Sequence, residues 1–447
     1  MNRKQFTAVS IMILSMNCIL PVSANSAATW AEGAETGGAV IFEDCPVEVI
    51  QEDLVFSLPD QPAVSANSVE GMPYRNTFEA SYIFENPTGE SQSVLLSFPV
   101  ARSFYSRQAY GPKRPSEAKI TVNDQETEVI HRYTYSPFEF HLQEDLAKLI
   151  DGFMEDDFFE PAMDVWSYTF QAKTDQNDQP LRLKYEMDTE NGKRRIRVPL
   201  SFTGASVEED HVTVQLTLRP DEEFTVYIFG REPDEDPVFQ NDSADAVLLS
   251  KSHMTYLEYV NESRPQDIGI SESDWYNAVT QMHLTFGDGS NIVSENVDPD
   301  IDLLHWLQYT LDFKPHEQIK NTVKGTIWPD IDYSYEQPVY RYRYLLSPAS
   351  SWASFRNLNV SVKSDMKMLS SSFTMERKAE GEYGCYLENL PEQELEFELC
   401  RDAHPKKKIT YGEKAAAGIM AAILIAGLPA FLIRKRTKGR AINKTNR

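Results

Sequence analysis

Asp298, Asp300 and Asp302 alternate along the chain with the spacing of the first three ligands of a calcium loop, because carboxylates two residues apart can turn toward one hard cation. The rest of that loop is missing. Leu303 stands where glycine is needed and Tyr309 where a bidentate glutamate is needed. A helix start explains the acids better: Asp298 suits the cap, Pro299 the first helical position, and Ile301, Leu304 and Trp306 make an apolar stripe. Glu155-Asp156-Asp157 with Glu160, and the run from Glu232 to Asp236, offer looser calcium ligation, with solvated loop charge as the simpler reading.

Other constellations assign no catalytic or cofactor-binding residue. His316-Glu317-Gln318-Ile319-Lys320 opens like a zinc-protease helix, but Lys320 replaces the second histidine and Pro315 opposes a helix. Neither a Gly-x-Ser-x-Gly elbow nor a phosphate-cradling glycine loop is present. Tyr340, Tyr342 and Tyr344 share one face of a strand and Arg341 and Arg343 the other. Such a row can stack on sugar rings, although a core-facing tyrosine row with a polar outer side is the commoner arrangement.

Three cysteines, Cys45, Cys385 and Cys400, follow the signal segment described below, so at least one is left out of any internal pairing. Cys385 and Cys400 flank an expected hairpin over 383–399. Placing them directly opposite each other sets Leu387 against Glu398, so a 385–400 disulfide needs a bulge to restore the faces. The fate of Cys45 stays open.

The elements that would position these residues are mostly strands, since apolar residues recur every second position. Thr77–Phe84 and Ser93–Pro99, joined by Glu85-Asn86-Pro87-Thr88-Gly89, read as a hairpin that ends at Pro99. Further strands are expected at 119–122, 126–132, 166–171, 181–187, 194–202, 212–218 and 224–229. A second series is expected at 255–260, 282–286, 309–313, 321–327, 339–346, 358–363 and 368–375. Leu142, Leu146, Leu149, Ile150 and Phe153 have helical spacing, which predicts a short helix within about 138–159. Trp166–Phe170 followed by Leu181–Tyr185 parallels Tyr309–Phe313 followed by Asn321–Ile327, as two related units would. The expected fold class is mainly β: two tandem antiparallel sandwiches over 44–231 and 246–402, separated by an acidic linker at 232–245.

The termini place this β part. Arg3 and Lys4, the apolar run from Phe6 to Leu20 and Val22-Ser23-Ala24 read as a signal peptide over 1–24, with which Cys18 leaves; a flexible lead-in, 25–43, follows. Ala415 to Ile433 is an uncharged stretch of 19 residues, enough to cover the ~30 Å hydrocarbon core of a bilayer. A stalk over 403–414 precedes it, and Arg434, Lys435, Arg436, Lys438 and Arg440 open a basic tail, 434–447, expected on the cytoplasmic side. A tail that short holds no output domain. The expectation is a single-pass membrane protein with its N-terminus and ectodomain outside the cell.

The arrangement of spacer, apolar stretch and basic tail resembles the cell-wall sorting signals of Gram-positive surface proteins. Their Leu-Pro-any-Thr-Gly motif is replaced here by Lys408-Ile409-Thr410-Tyr411-Gly412, which favours retention in the membrane. Tyr82-Ile83-Phe84-Glu85-Asn86 leading to Phe98-Pro99, and Tyr344-Leu345-Leu346-Ser347-Pro348-Ala349 before Ser351-Trp352, resemble exported, membrane-anchored bacterial β proteins of unknown function. That resemblance implies the sandwich fold and the surface location, and it carries over no site residue.

Removing the two basic residues of the signal and the seven of the tail leaves 34 Lys and Arg against all 68 Asp and Glu, so the exterior part carries about −34. Such a surface repels nucleic acid, anionic lipid and teichoic-acid-like polyanions. The leading functional expectation is a non-enzymatic binding or structural ectodomain with a protein or peptide partner. Its alternatives are an envelope carbohydrate-active or hydrolytic enzyme, and a sensor ectodomain coupled to a membrane partner through the small residues Ala415, Gly418, Ala422 and Gly427.

Overall fold

The computed structural model describes residues 35–36, 39–40, 45–58, 76–105, 118–136, 142–174, 181–199, 201–208, 210–241, 244–266, 268–287, 291–294, 301–327 and 329–408. The expected signal 1–24, most of the lead-in 25–43, the span 415–433 and the tail 434–447 lie outside them. Among the described residues no helix is long and apolar enough to cross a membrane.

The chain is mainly β. It begins with β1 (Glu35–Thr36), β2 (Ala39–Val40), β3 (Glu48–Ser57), β4 (Thr77–Glu85), β5 (Gln92–Tyr105), β6 (Lys119–Val122), β7 (Gln125–Glu126) and β8 (Ile130–Tyr135). A helical turn, α1 (Leu142–Leu146), leads to β9 (Asp164–Thr174), β10 (Leu181–Asp188), β11 (Arg194–Val198), β12 (Phe202–Glu208), β13 (His211–Leu218), β14 (Glu223–Gly230) and β15 (Ala244–Thr255). Helices α2 (Tyr256–Asn261) and α3 (Glu272–Gly287) precede β16 (Ile292–Ser294). The last series is β17 (Ile301–Phe313), β18 (Gln318–Thr326), β19 (Asp330–Asp332), β20 (Val339–Leu345), β21 (Arg356–Lys363), β22 (Lys367–Ser371), β23 (Glu376–Ala379), β24 (Glu382–Asn389) and β25 (Leu395–Cys400).

Strand pairing divides these elements differently from the tandem scheme. An eight-stranded sheet runs β23-β24-β21-β3-β4-β18-β6-β7, combining strands from both ends of the chain. Two smaller sheets, β1-β20-β25-β22 with β19 on β20, and β2-β5-β17-β8, share one core with it. The outer body is therefore discontinuous, 45–136 with 301–408, and residues 164–294 form a second body inserted between β8 and β17. The expected boundary at 232–245 is a loop inside the insertion, because β15 beyond it pairs with β9 before it. Local alternation marks strands but says nothing about partners far along the chain, which is why the division was misplaced.

The expected 77–99 hairpin is likewise an arch. β4 pairs with β3 and β18, while β5 crosses the core to pair with β2 and β17. In a hairpin the apolar rows of β4 and β5 would lie side by side and need a separate cover. In the arch they cover each other: the Phe78 and Phe98 rings stack with centroids 6.2 Å apart. The return crossing from β17 to β18 sits against the first corner. Buried Asn86 donates from Nδ2 to the Glu90 and Lys314 carbonyls (2.7 and 3.0 Å), and the His316 amide donates to the Thr88 carbonyl. β5 does not stop at Pro99, since a bulge opposite His305 and Trp306 absorbs the missing donor and the strand continues to Tyr105. β9 and β10 make the same move between sheets as β17 and β18, which gives the similarity of those two segments a structural counterpart.

In the insertion, the sheet β15-β9-β14-β11-β16 packs one face on β10-β13-β12. α2 and α3 cover the other face and meet Tyr133, Tyr135, Ile301 and Leu303 of the outer body in one shared core. Strands expected at 255–260 and 282–286 are these helices. Thr255 and Glu258 form a capping box that starts α2. α3 is buried continuously from Asp274 to Thr280 between the two bodies, which hides its helical period. Among the described residues the helix expected within 138–159 reduces to α1, whose last residue Leu146 packs with Leu149 on Leu304, Trp306 and Leu345.

The expected hairpin over 383–399 is a crossover too, with β24 pairing to β21 and β23, and β25 to β20 and β22. Cys385 lies opposite Val360 in the large sheet and Cys400 opposite Lys367 in the small one. The 385–400 disulfide therefore does not form, and Cys45, Cys385 and Cys400 are free thiols. The stalk is also shorter than expected. Lys407 bridges to Tyr335, and the Lys408 amide donates to the Ser334 carbonyl, so the chain stays docked through residue 408.

Candidate functional site

Asp298 and Asp300 lie outside the described residues, and Asp302 stands in β17 opposite Phe104. The helix start expected there is replaced by a strand. β17 is central between β5 and β8 and is buried on both faces from Leu303 to Tyr309, so its apolar residues have no strand alternation to betray it. Among the described residues no group of three His, Cys, Asp or Glu could hold a metal. His316 sits in a turn with φ 57° between β17 and β18, not on a helix.

The tyrosine row faces the core. Tyr342 accepts from Asn76 Nδ2 (2.9 Å), and the Tyr344 hydroxyl lies 3.0 Å from that of Tyr82 and donates to Glu52 Oε1 (3.3 Å). On the other face Arg341 pairs with Glu398 (2.7 Å) and Arg343 with Glu396 (2.6 Å), as cross-strand neighbours do. Glu52 was not singled out from sequence. It occupies a core position in line with Leu54 and Phe56, and burial pushes its carboxyl up to about 8, so it is protonated at neutral pH.

Two histidines are equally enclosed. Burial lowers His305 to about 3, aided by His131, whose Nδ1 is 2.8 Å from His305 Nε2. His283 falls to about 3 through burial and the nearby Arg197 and Arg195, and its Nδ1 lies 3.0 Å from the Tyr256 hydroxyl. Both groups stay neutral and act as packed hydrogen-bonding rings.

One surface cluster of ionisable residues combined with aromatic rings lies on the insertion. An extra residue, Leu249, shifts the register of β15 on β9, which turns Lys251 and His253 to the same face as Tyr168 and Trp166. Lys251 Nζ lies 2.8 Å from both Glu232 and Asp236 and over the rings of Tyr168 (5.2 Å) and Trp166 (5.5 Å). The hydrogen bonds to Asp236 and Glu232 raise its pKa, so the ammonium is permanent. The acidic loop therefore already holds a cation, the lysine, where calcium was considered. Arg194 anchors the loop's start by donating to the Arg231 and Glu232 carbonyls (3.0 and 2.8 Å). Beside this clamp His253 Nε2 is 2.8 Å from Asp164, its ring 4.4 Å from that of Trp166. Half-exposed His253, oriented by Asp164, can move a proton, and Trp166 with its neighbours presents a mixed aromatic and polar surface.

No protein family matches the chain, and no curated protein does either. Among solved structures, a candidate nutrient-binding protein of Legionella pneumophila aligns with 82% of this chain and 71% of its own length, at 10% identity and a TM-score of 0.29. A likeness at that score decides neither fold nor function.

Proposed function

We propose that the chain is a cell-surface, membrane-anchored, non-enzymatic binding or structural protein whose inserted body offers the contact surface for a protein or peptide partner. The observation that carries this reading is where the strongly perturbed carboxyl and imidazole groups lie; Lys251, also perturbed, is exposed but already paired with Glu232 and Asp236. Glu52, His283 and His305 are sealed inside packed cores, whereas perturbed groups that serve catalysis line an opening. The signal peptide expected over 1–24 and the apolar stretch 415–433 are the sequence features that favour this location, as does the resemblance to exported, membrane-anchored β proteins. Protease added to intact cells should digest the ectodomain, and proximity labelling should recover one reproducible surface neighbour. An ectodomain shielded in intact cells overturns the reading.

The runner-up, an envelope hydrolase, is favoured by one feature: the open Asp164–His253 pair beside the Trp166 ring. The carboxylates Glu232 and Asp236 are close enough for glycosidase chemistry, but Lys251 occupies the space between them. Turnover of wall glycan that His253→Ala abolishes in a folded protein would establish this alternative.

A further inference from the structure

We propose that the end of the outer body formed by the β19–β20 turn and residues 401–408 rests on the bilayer that holds the chain and contacts anionic lipid headgroups. The inference depends on the membrane-anchored reading above and adds where the ectodomain sits.

The first support is the docked approach to the span. The Glu336 amide donates to the Lys406 carbonyl (2.7 Å) and the Lys408 amide to the Ser334 carbonyl (2.6 Å), with Tyr335 and Lys407 bridged between them. Only residues 409–414 then separate the folded body from Ala415, where the apolar stretch begins. Even fully extended, that stretch of chain reaches only about 25 Å, and the headgroup layer occupies about 5–8 Å of it. Ser334, Tyr335 and Lys406–Lys408 are thus the part of the fold held nearest to the lipid.

The second support is what this end displays. Tyr333 is 48% exposed, and Lys407 Nζ lies 5.6 Å from the Tyr335 ring. Tyrosines and lysines are the side chains that settle at a membrane interface, the ring at headgroup level and the ammonium among the phosphates. Asp330, Asp332, Glu336 and Asp402 share this end with Arg401 and the three lysines, and Asp332 is engaged by the Ser334 amide (2.8 Å). On a body whose exterior charge is about −34, four basic residues here, Arg401 and Lys406–Lys408, balance the four acids, so this end lacks the net negative charge that would repel an anionic surface.

The test uses the full chain in lipid discs made either of phosphatidylcholine alone or with added phosphatidylglycerol, followed by hydrogen exchange. Amides within 330–336 and 401–408 should exchange more slowly in the anionic discs, by about fivefold for each lysine at the surface. Joint substitution of Lys406→Glu, Lys407→Glu and Lys408→Glu should remove the difference while leaving the 201–222 region unchanged. Equal exchange in both lipids, with the chain retained in alkali-washed membranes, overturns this proposal alone. Release by alkali overturns it together with the anchor.

Discussion

Arg132 of β8 and Asp274 of α3 form a forked pair across the junction of the two bodies, with Nε 3.0 and 3.1 Å from the two carboxylate oxygens. Arg132 also donates to Gln308 (3.0 Å), Asp151 (3.2 Å) and the Ile150 carbonyl (2.8 Å), and Asp274 accepts from the Tyr133 amide (3.0 Å). The insertion is therefore held by buried charge as well as by the shared aromatic core. Asp274→Ala removes the buried carboxylate and leaves Arg132 on Asp151, Gln308 and the Ile150 carbonyl, so the loss should fall at or below the low end of the about 3–5 kcal/mol that breaking a buried pair costs. Urea unfolding should report that loss, and limited proteolysis should show the connection at 142–163 opening first. A change under about 1 kcal/mol would mean the pair is solvated and not a fastening.

Glu52 makes the outer body's stability depend on pH. Its pKa rises from an ordinary 4.5 to about 8 in the fold, with burial as the main cause. Below about 4.5 both folded and unfolded chains hold the proton. Between 4.5 and about 8 only the folded chain does, so ionisation favours the unfolded state and stability falls as pH rises. Glu52→Gln keeps the shape without the ionisation, and should flatten this window and gain up to about 3 kcal/mol at pH 7. Denaturant titrations at pH 5, 6, 7 and 8 measure both slopes; parallel curves would show that Glu52 is hydrated.

Lys251 should fix the acidic loop. Lys251→Met frees Glu232 and Asp236 to repel each other, so amides across 232–241 should exchange faster, while global stability changes by no more than about 1 kcal/mol because the clamp is solvent-exposed. Calcium should leave the wild-type melting temperature unchanged at this loop, since the ammonium already neutralises it. A calcium-dependent rise that Lys251→Met leaves untouched would locate a cation site elsewhere in the chain.

The three thiols offer a chemical check on the sheet crossover. Burial raises the pKa of Cys45 and of Cys385, which slows their reaction in the folded protein. After denaturation without reductant, Cys385 and Cys400 should both be alkylated, and mass spectrometry should show no 385–400 linkage. A recovered linkage would bring β24 and β25 back into one hairpin.

Much of the local structure is legible along the chain. Leu181–Met187 lands on β10 because it alternates cleanly between a core face and a polar face, and Phe224–Phe229 lands on β14 although both its faces are covered, because Phe224, Val226 and Ile228 still recur every second position. Thr255-x-x-Glu258 is a helix signal present in the sequence, yet the apolar residues after it resemble a strand. The strand expected at 309–313 is the second half of β17, whereas α3 and the first half of β17 failed for a common reason: both are buried on every side, so neither shows the periodicity that distinguishes helix from strand. The surface clamp was invisible because Lys251 reaches its face only through the one-residue bulge at Leu249.

What the residue order determined by itself is the β class and the inward side of most strands, since contacts between neighbours two apart settle which face meets water. The tertiary structure decided which strands pair, that Phe78 faces Phe98 across the core, and that residues 164–294 interrupt an outer body. Arch and hairpin satisfy the same alternation, and only the surface that must cover each apolar row tells them apart.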